Sequence, residues 1–267
     1  MKKNILIIVA LSTFEITSIF GTVIFSENFD GSSYSDNQTI SNGTSVNSAY
    51  GKTVYASGGS GSTVISTANE LSGTRSLQES SDVSGSNTAQ TSFDFGTGPG
   101  VLANTTSAID VNFAFNLTSL SNGVGVLVRD SSGNNAGYVT LGGSTGNVRV
   151  VNNGSFSNLY TLSATTWYYL DLQLSSAASG GTTYTVSILD STNSTILATT
   201  TGVFGNTATT GIYQYLTIYD MNSGGSSNVY NYFDNITVQT IPEPAVFACL
   251  ILGICFVGRY RRPDMMA

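Results

Sequence analysis

Histidine is absent from this sequence, and only 9% of its 267 residues are charged, against roughly 25% in an average soluble protein. Without histidine the chain lacks the commonest general base and the commonest metal ligand. A Ser-His-Asp triad is therefore excluded, and no Gly-x-Ser-x-Gly elbow is present either. Basic residues are scarce. Between Thr22 and Ile241 they are Lys52, Arg75, Arg129 and Arg149, set against ten Asp and three Glu for a net charge of −9. Phosphate backbones demand clustered Lys and Arg, so nucleic acid is excluded as a partner. Both cysteines, Cys249 and Cys255, fall in a C-terminal apolar segment, which leaves the body with neither a disulfide nor a reactive thiol.

Ser, Thr, Asn and Gly supply the polarity instead. Aromatic residues make up 10% of the chain and recur in spaced clusters, which a disordered chain does not need. The composition therefore predicts an ordered fold with long polar loops. About 220 residues remain between the termini, with no Pro/Gly linker or charge block near the middle. That length suits one large domain.

The two ends differ from the body. Lys2 and Lys3 precede the apolar run Ile5 to Leu11, the n-region and h-region of a secretory signal. The run is too short to span a bilayer, and Glu15 breaks the apolar character soon after it. Residues 1–21 are expected to be the signal, with Gly21 as its last residue. At the other end, Ile241-Pro242-Glu243-Pro244 leads into apolar Ala245 to Gly258, followed by Arg259-Tyr260-Arg261-Arg262. The prolines stop the β body from running into a helix. Fourteen helical residues cover about 21 Å, short of a roughly 30 Å hydrocarbon core, and snorkelling by Tyr260 and the arginines extends the reach. Three arginines at this end favour a cytoplasmic C-terminus and an external body.

Residues 241–262 resemble the PEP-CTERM sorting tail. The resemblance rests on Pro242, Glu243 and Pro244, the membrane helix at 245–258, and the cluster Arg259, Arg261 and Arg262. It implies export, transient anchoring in the membrane, an exosortase-type processing enzyme as partner, and a destination at the cell surface or in extracellular matrix.

Within residues 22–240 the hydrophobic pattern has period two. Ile109, Val111, Phe113, Phe115 and Leu117 alternate with Asp110, Asn112, Ala114 and Asn116. Tyr168, Leu170, Leu172 and Leu174 alternate with Asp171 and Gln173, and Tyr184, Val186 and Ile188 repeat the pattern. Turn signals such as Asp130 to Asn135, Gly142 to Gly146 and Asn152-Asn153-Gly154 separate the runs. The expected fold is all-β: an antiparallel β-sandwich of jelly-roll type. Four stretches, Phe25 to Gly31, Gly123 to Asp130, Thr166 to Leu172 and Tyr232 to Val238, resemble the concanavalin A-like lectin/glucanase fold in its laminin-G-like form. A galactose-binding-like jelly roll is the competing architecture. The resemblance is one of fold and is silent on the ligand; a lectin-like sandwich contacting glycans or extracellular polysaccharide is the leading functional reading.

Catalysis is not expected. Family-16 glycoside hydrolases on this fold carry a Glu-x-Asp-x-x-Glu strand that directs alternate carboxylates into one cleft. Here Glu27, Glu70 and Glu79 stand outside any such pattern, and the pair Glu79 and Asp82 has no third member. Calcium takes oxygen ligands. If the first and last strands pair, Glu27 and Asp30 come near Asp234 as candidate ligands for a structural ion. The Asp130 loop, with Ser131, Asn134 and Asn135, is a second candidate, and turn chemistry is the alternative at both. Tyr213, Tyr215 and Tyr219 are expected to share a face opposite Ile212, Leu216 and Ile218, forming an aromatic platform for sugars provided that no bulge intervenes. The alternative is that these tyrosines simply cover a half-exposed sheet. Seven Asn-x-Ser/Thr sequons begin at Asn37, Asn42, Asn104, Asn116, Asn153, Asn193 and Asn235. A glycan-binding surface protein, a purely structural coat protein and, last, an unusual glycoside hydrolase are the three functional readings.

Overall fold

A computed structural model describes residues 21–32, 34–40, 44–46, 52–56, 62–81, 89–95, 108–152, 154–175, 183–204, 213–221 and 229–241; for 44–46, 52–56 and 81 only the backbone is described. Val23–Thr240 forms one compact unit. The signal segment at 1–20 and the tail at 242–262, with its Pro-Glu-Pro motif and arginines, lie outside the described residues. Among the described residues no helix is long and apolar enough to cross a membrane.

Sixteen strands are described. They are β1 (Val23–Glu27), β2 (Thr44–Val46), β3 (Lys52–Ala56), β4 (Ser62–Ser66), β5 (Ser76–Ser81), β6 (Gln90–Asp94), β7 (Ile109–Leu117) and β8 (Gly123–Asp130). The second half holds β9 (Asn135–Gly142), β10 (Asn147–Asn152), β11 (Ser155–Thr161), β12 (Trp167–Leu174), β13 (Thr183–Leu189), β14 (Ile196–Val203), β15 (Tyr213–Asp220) and β16 (Val229–Thr240). They form two antiparallel sheets. The first runs β14-β13-β12-β7-β16-β5-β4, with β1 also on β16, and the second runs β11-β10-β9-β8-β15-β6-β3-β2. The architecture is an antiparallel β-sandwich.

The period-two pattern explains the layers. Ile109, Val111, Phe113, Phe115 and Leu117 of β7 are buried, as are Leu170, Leu172 and Leu174 of β12 and Val186 and Ile188 of β13. These residues meet the inward side chains of the second sheet, Val124, Val126 and Val128 of β8 and Leu216 and Ile218 of β15, in one continuous core. Phe113 packs edge-on to Phe115 and to Phe233 of β16, with centroids 6.4 and 6.2 Å apart. Phe25 of β1 meets Phe93 of β6 at 5.5 Å, across the layers. Strands β11 and β14 each end a sheet and are mostly exposed.

The long strand β16 organises the first sheet. Its first half pairs with β5, Val229 to Phe233 against Ser81 to Leu77. Its second half pairs with β1, Ile236 to Gln239 against Glu27 to Val23. The partner changes at a bulge between Asp234 and Thr237, where Asn235 takes a positive φ of 51°. First and last strands thus pair, as the sequence led us to expect.

Phe233 is fully buried beside Phe113. Phe233→Ala should lower unfolding free energy by about 3–5 kcal/mol. Thr201→Ala on the exposed edge strand β14 should stay within about 0.5 kcal/mol. Chemical denaturation of the two variants checks both values.

Candidate functional site

The outward face of the second sheet carries the candidate site. Side chains alternate across it, and strand register brings residues from five strands into rows. One row runs Gln90, Tyr219, Gly125, Thr140 and Arg149 across β6, β15, β8, β9 and β10. The next contains Ser92, Thr217, Leu127 and Tyr138, and a third Asp94, Tyr215, Arg129 and Asn135.

Tyr138 and Tyr219 stack at 6.4 Å with an interplanar angle of 18°, and the Tyr219 hydroxyl pairs with that of Tyr138 at 2.8 Å. Burial and the bond to Tyr219 raise the Tyr138 phenol above its ordinary range, so it remains protonated. Gly125 allows this stack. A Cβ there would collide with the Tyr219 ring, so the ring lies flat over bare backbone. Phe156 of β11, 47% exposed, meets Tyr138 edge-on at 5.7 Å. The Arg149 guanidinium covers the Phe156 ring at 4.6 Å, a cation–π contact. Arg129 donates to Asn135 at 3.2 Å. The ion pair described in the body is Arg75 with Asp36 at 2.7 Å, so neither outward arginine is tied up by a carboxylate among the described residues.

The three-tyrosine platform needs correction. The register of β15 shifts between Tyr213 and Tyr215, so the two rings do not share a face. Tyr213 is fully buried in the core with Leu216 and Ile218, and its hydroxyl donates to the Ser175 carbonyl at 2.7 Å. Tyr215 and Tyr219 face outward, half-buried. Ile212 lies outside the described residues. Tyr138, Phe156 and Arg149 complete the face, and the sequence pattern did not single them out.

The carboxylates at the paired ends are brought together, with defined partners. Glu27 accepts the Phe29 N–H at 2.8 Å and the Tyr34 hydroxyl at 2.7 Å, which holds Phe29 at a φ of 60°. Asp30 Oδ1 accepts the N–H groups of Thr74 and Arg75 at 2.7 and 3.1 Å. Asp234 Oδ2 accepts those of Leu71 and Ser72 at 3.2 and 3.1 Å, and its Oδ1 that of Asn235 at 2.7 Å. Burial, with the charge of Asp30 added, raises Glu27, and the same causes push Asp234 up to about 6. Among the described residues no group of three or more Asp, Glu, His or Cys side chains is placed to hold a metal ion. The carboxylates here act as receivers for the backbone of loop 71–75. Asp130 likewise accepts the N–H groups of Ser132 and Asn134 at 2.9 and 2.8 Å and the Asn134 side chain at 3.0 Å, which is turn chemistry. Of the sequons, Asn116 is buried and out of reach of glycosylation in the folded state.

The outward face of the first sheet differs. Asp171 of β12 lies within hydrogen-bonding reach of Asp110 of β7, and burial followed by that neighbour pushes Asp171 up to about 8. Asp171 is therefore held protonated beside its neighbour, with Gln239 and Gln173 as the amide donors to the pair at 2.8 and 3.4 Å.

No protein-family model matches the sequence, and no curated protein matches it. Solved structures do share the fold. One is a sialidase, with a TM-score of 0.50 and 9% identity, 71% of this chain covering 17% of that one. Another is a carbohydrate esterase from Shiga toxin-encoding bacteriophage phi24B, with a TM-score of 0.53 and 13% identity, 83% of this chain covering 99% of that one. At such identities the likeness establishes the β-sandwich alone. The chain spans about a sixth of the sialidase's length.

The raised carboxyls give a signed pH dependence. Asp171 and Asp234 hold protons more tightly folded than unfolded. Their contribution is full below the unfolded range near about 4. It is lost as pH rises through about 6 for Asp234 and about 8 for Asp171. Melting temperature should fall from pH 4 to pH 8. Asp171→Asn should flatten the profile between pH 6 and 8, as measured by thermal denaturation in matched salt.

Proposed function

We propose that this is an exported, membrane-sorted surface or matrix protein whose sandwich binds glycan without catalysing a reaction. The observation that carries the binding reading is the outward cluster on the second sheet: the Tyr138–Tyr219 stack, the exposed Phe156 ring and the arginine laid over it. Flat rings with polar tips suit the apolar faces and hydroxyl rims of sugars. The arginines add donors that no carboxylate occupies among the described residues. Two proteins sharing the fold are named for carbohydrate chemistry, which supports the reading at the level of fold. The jelly-roll lectin-like form of the sandwich belongs to the same reading.

A purely structural coat protein is the second reading. It would need no exposed ring with a cation on it, and the Phe156–Arg149 contact favours the first. An unusual glycoside hydrolase ranks last, because the sequence carries no Glu-x-Asp-x-x-Glu strand. A structural calcium at Glu27, Asp30 and Asp234 stays outside the reading, since their oxygens already serve loop 71–75 and Tyr34.

The binding reading is tested on a glycan array with the purified chain. Tyr138→Ala, Tyr219→Ala and Arg149→Ala should each weaken binding by about 1–2 kcal/mol, roughly five- to thirtyfold. Tyr219→Phe should cost less, because the ring face survives. Tyr213→Ala should act on stability and not selectively on binding. An array without any signal would favour the coat protein.

Export and sorting rest on the sequence of the two ends. Residues 1–21 direct the chain outward, and Pro242 to Arg262 retain it until an exosortase-type enzyme acts. Truncation after Thr240 should release the exported body into the medium, which fractionation of cells carrying a tagged chain would show. Unchanged membrane retention would remove the tail from the reading.

A further inference from the structure

Between the sheets, one buried row that crosses three strands of the first sheet is polar. Register places Thr63 of β4 opposite Glu79 of β5, and Glu79 opposite Asn231 of β16. Neighbouring strands are about 4.8 Å apart, so the three side chains stand side by side on the inward face. The second sheet answers them with Thr91 of β6, whose hydroxyl meets that of Thr63 at 3.3 Å, and with Asp220 of β15, close enough for its charge to act on Glu79. Glu79, Asn231, Thr91 and Asp220 are fully buried, and Thr63 is 4% exposed. The group sits where β5 and β15 end and β6 and β16 begin.

The hydrogen bonding of this row is incomplete. Among the described residues Thr91 alone eases the Glu79 carboxylate, without a well-formed hydrogen bond, and neither amide atom of Asn231 has a hydrogen-bond partner. Buried polar groups almost always find one, and a buried charge needs a counter-charge. Among the described residues no basic side chain pairs with them. Burial, with the Asp220 charge added and Thr91 easing it in part, raises Glu79 well above the ordinary carboxylate range. A proton on Glu79 removes one charge but leaves the Asn231 carbonyl and the second carboxylate oxygen unanswered.

We infer that this row is a buried cation site, with Glu79, Asp220 and the Asn231 carbonyl as ligands to a hard divalent ion, calcium by choice. The donors are oxygens only: two carboxylates, one amide carbonyl and the hydroxyls of Thr63 and Thr91. Such a set selects hard cations over zinc or copper. Calcium accepts six to eight oxygens in irregular array, whereas magnesium demands a strict octahedron and retains its waters, so buried oxygens drawn from five strands favour calcium. The ion would bridge the two sheets at one end of the sandwich. This site is separate from the paired-end carboxylates Glu27, Asp30 and Asp234, which already serve Tyr34 and the backbone of loop 71–75.

The test uses the purified full chain, stripped with EDTA and titrated with calcium chloride. At about a hundredfold excess over Kd the melting temperature should rise by about 5–10 °C. Glu79→Gln should abolish that rise while melting no lower than the stripped wild type. Asp234→Asn should keep the rise. Asn231→Asp, which adds a carboxylate, should melt lower when stripped and bind calcium several-fold more tightly by equilibrium dialysis. A wild-type melting curve indifferent to calcium and EDTA overturns the site. So does a calcium response that persists in Glu79→Gln, one that vanishes in Asp234→Asn, or an Asn231→Asp variant that calcium does not rescue.

Discussion

The fold depends on how β16 changes partners. One strand serves β5 over its first half and β1 over its second, and the exchange leaves loop 71–75 without a ladder to join. Four of its N–H groups are taken up by two carboxylates, Leu71 and Ser72 by Asp234, Thr74 and Arg75 by Asp30. Between them Gly73 has a φ of +74°, and a Cβ there would collide with the Asp30 carboxylate. Leu71 and Arg75 are partly buried, so their N–H groups gain most from these acceptors, by about 1.5–3 kcal/mol where the carboxylate is charged. The junction therefore fixes the identity of Asp30 and Asp234 more tightly than their chain positions suggest. Through them the beginning of the chain, the approach to β5 and the last strand are held in one place.

A second irregularity shapes the outward face of the opposite sheet. Register slips by one residue near Gln214 in β15, and Tyr213 turns inward while Tyr215 and Tyr219 stay out. A one-residue slip moves a side chain to the other face. The buried Tyr213 hydroxyl reaches the Ser175 carbonyl, so the ring contributes to the core and still satisfies its polar tip. The outward face is left with two rings of β15, to which β9 and β11 add one each.

Much of this was legible in the sequence, and the limits have physical causes. The strands at 109–117, 167–174 and 183–189 were visible because each has one apolar face, and period two registers that directly. Pairing of the first and last strands was anticipated from the architecture. Bulges were not visible, because a bulge adds one residue without changing composition. Tyr138 and Phe156 escaped notice because they sit 81 and 63 residues before Tyr219, and only register across β15, β8, β9 and β10 unites them. A faint signal existed: Gly125 inside a valine-rich strand marks a place where something lies close to the backbone. The Glu79–Asn231 row escaped for the same reason, being three ordinary residues on three strands until the register aligns them.

The placement of the arginines has a consequence for how copies of the body meet one another and other charged molecules. Two of the four basic residues between Thr22 and Ile241 point from the same sheet face, while the outer face of the other sheet carries Asp110 and Asp171. Both arginines thus lie on one broad face of a body whose overall charge is strongly negative. Copies crowded side by side repel one another through their shared negative charge. An acidic polymer would find the two cations on the face that also carries the exposed Phe156 ring.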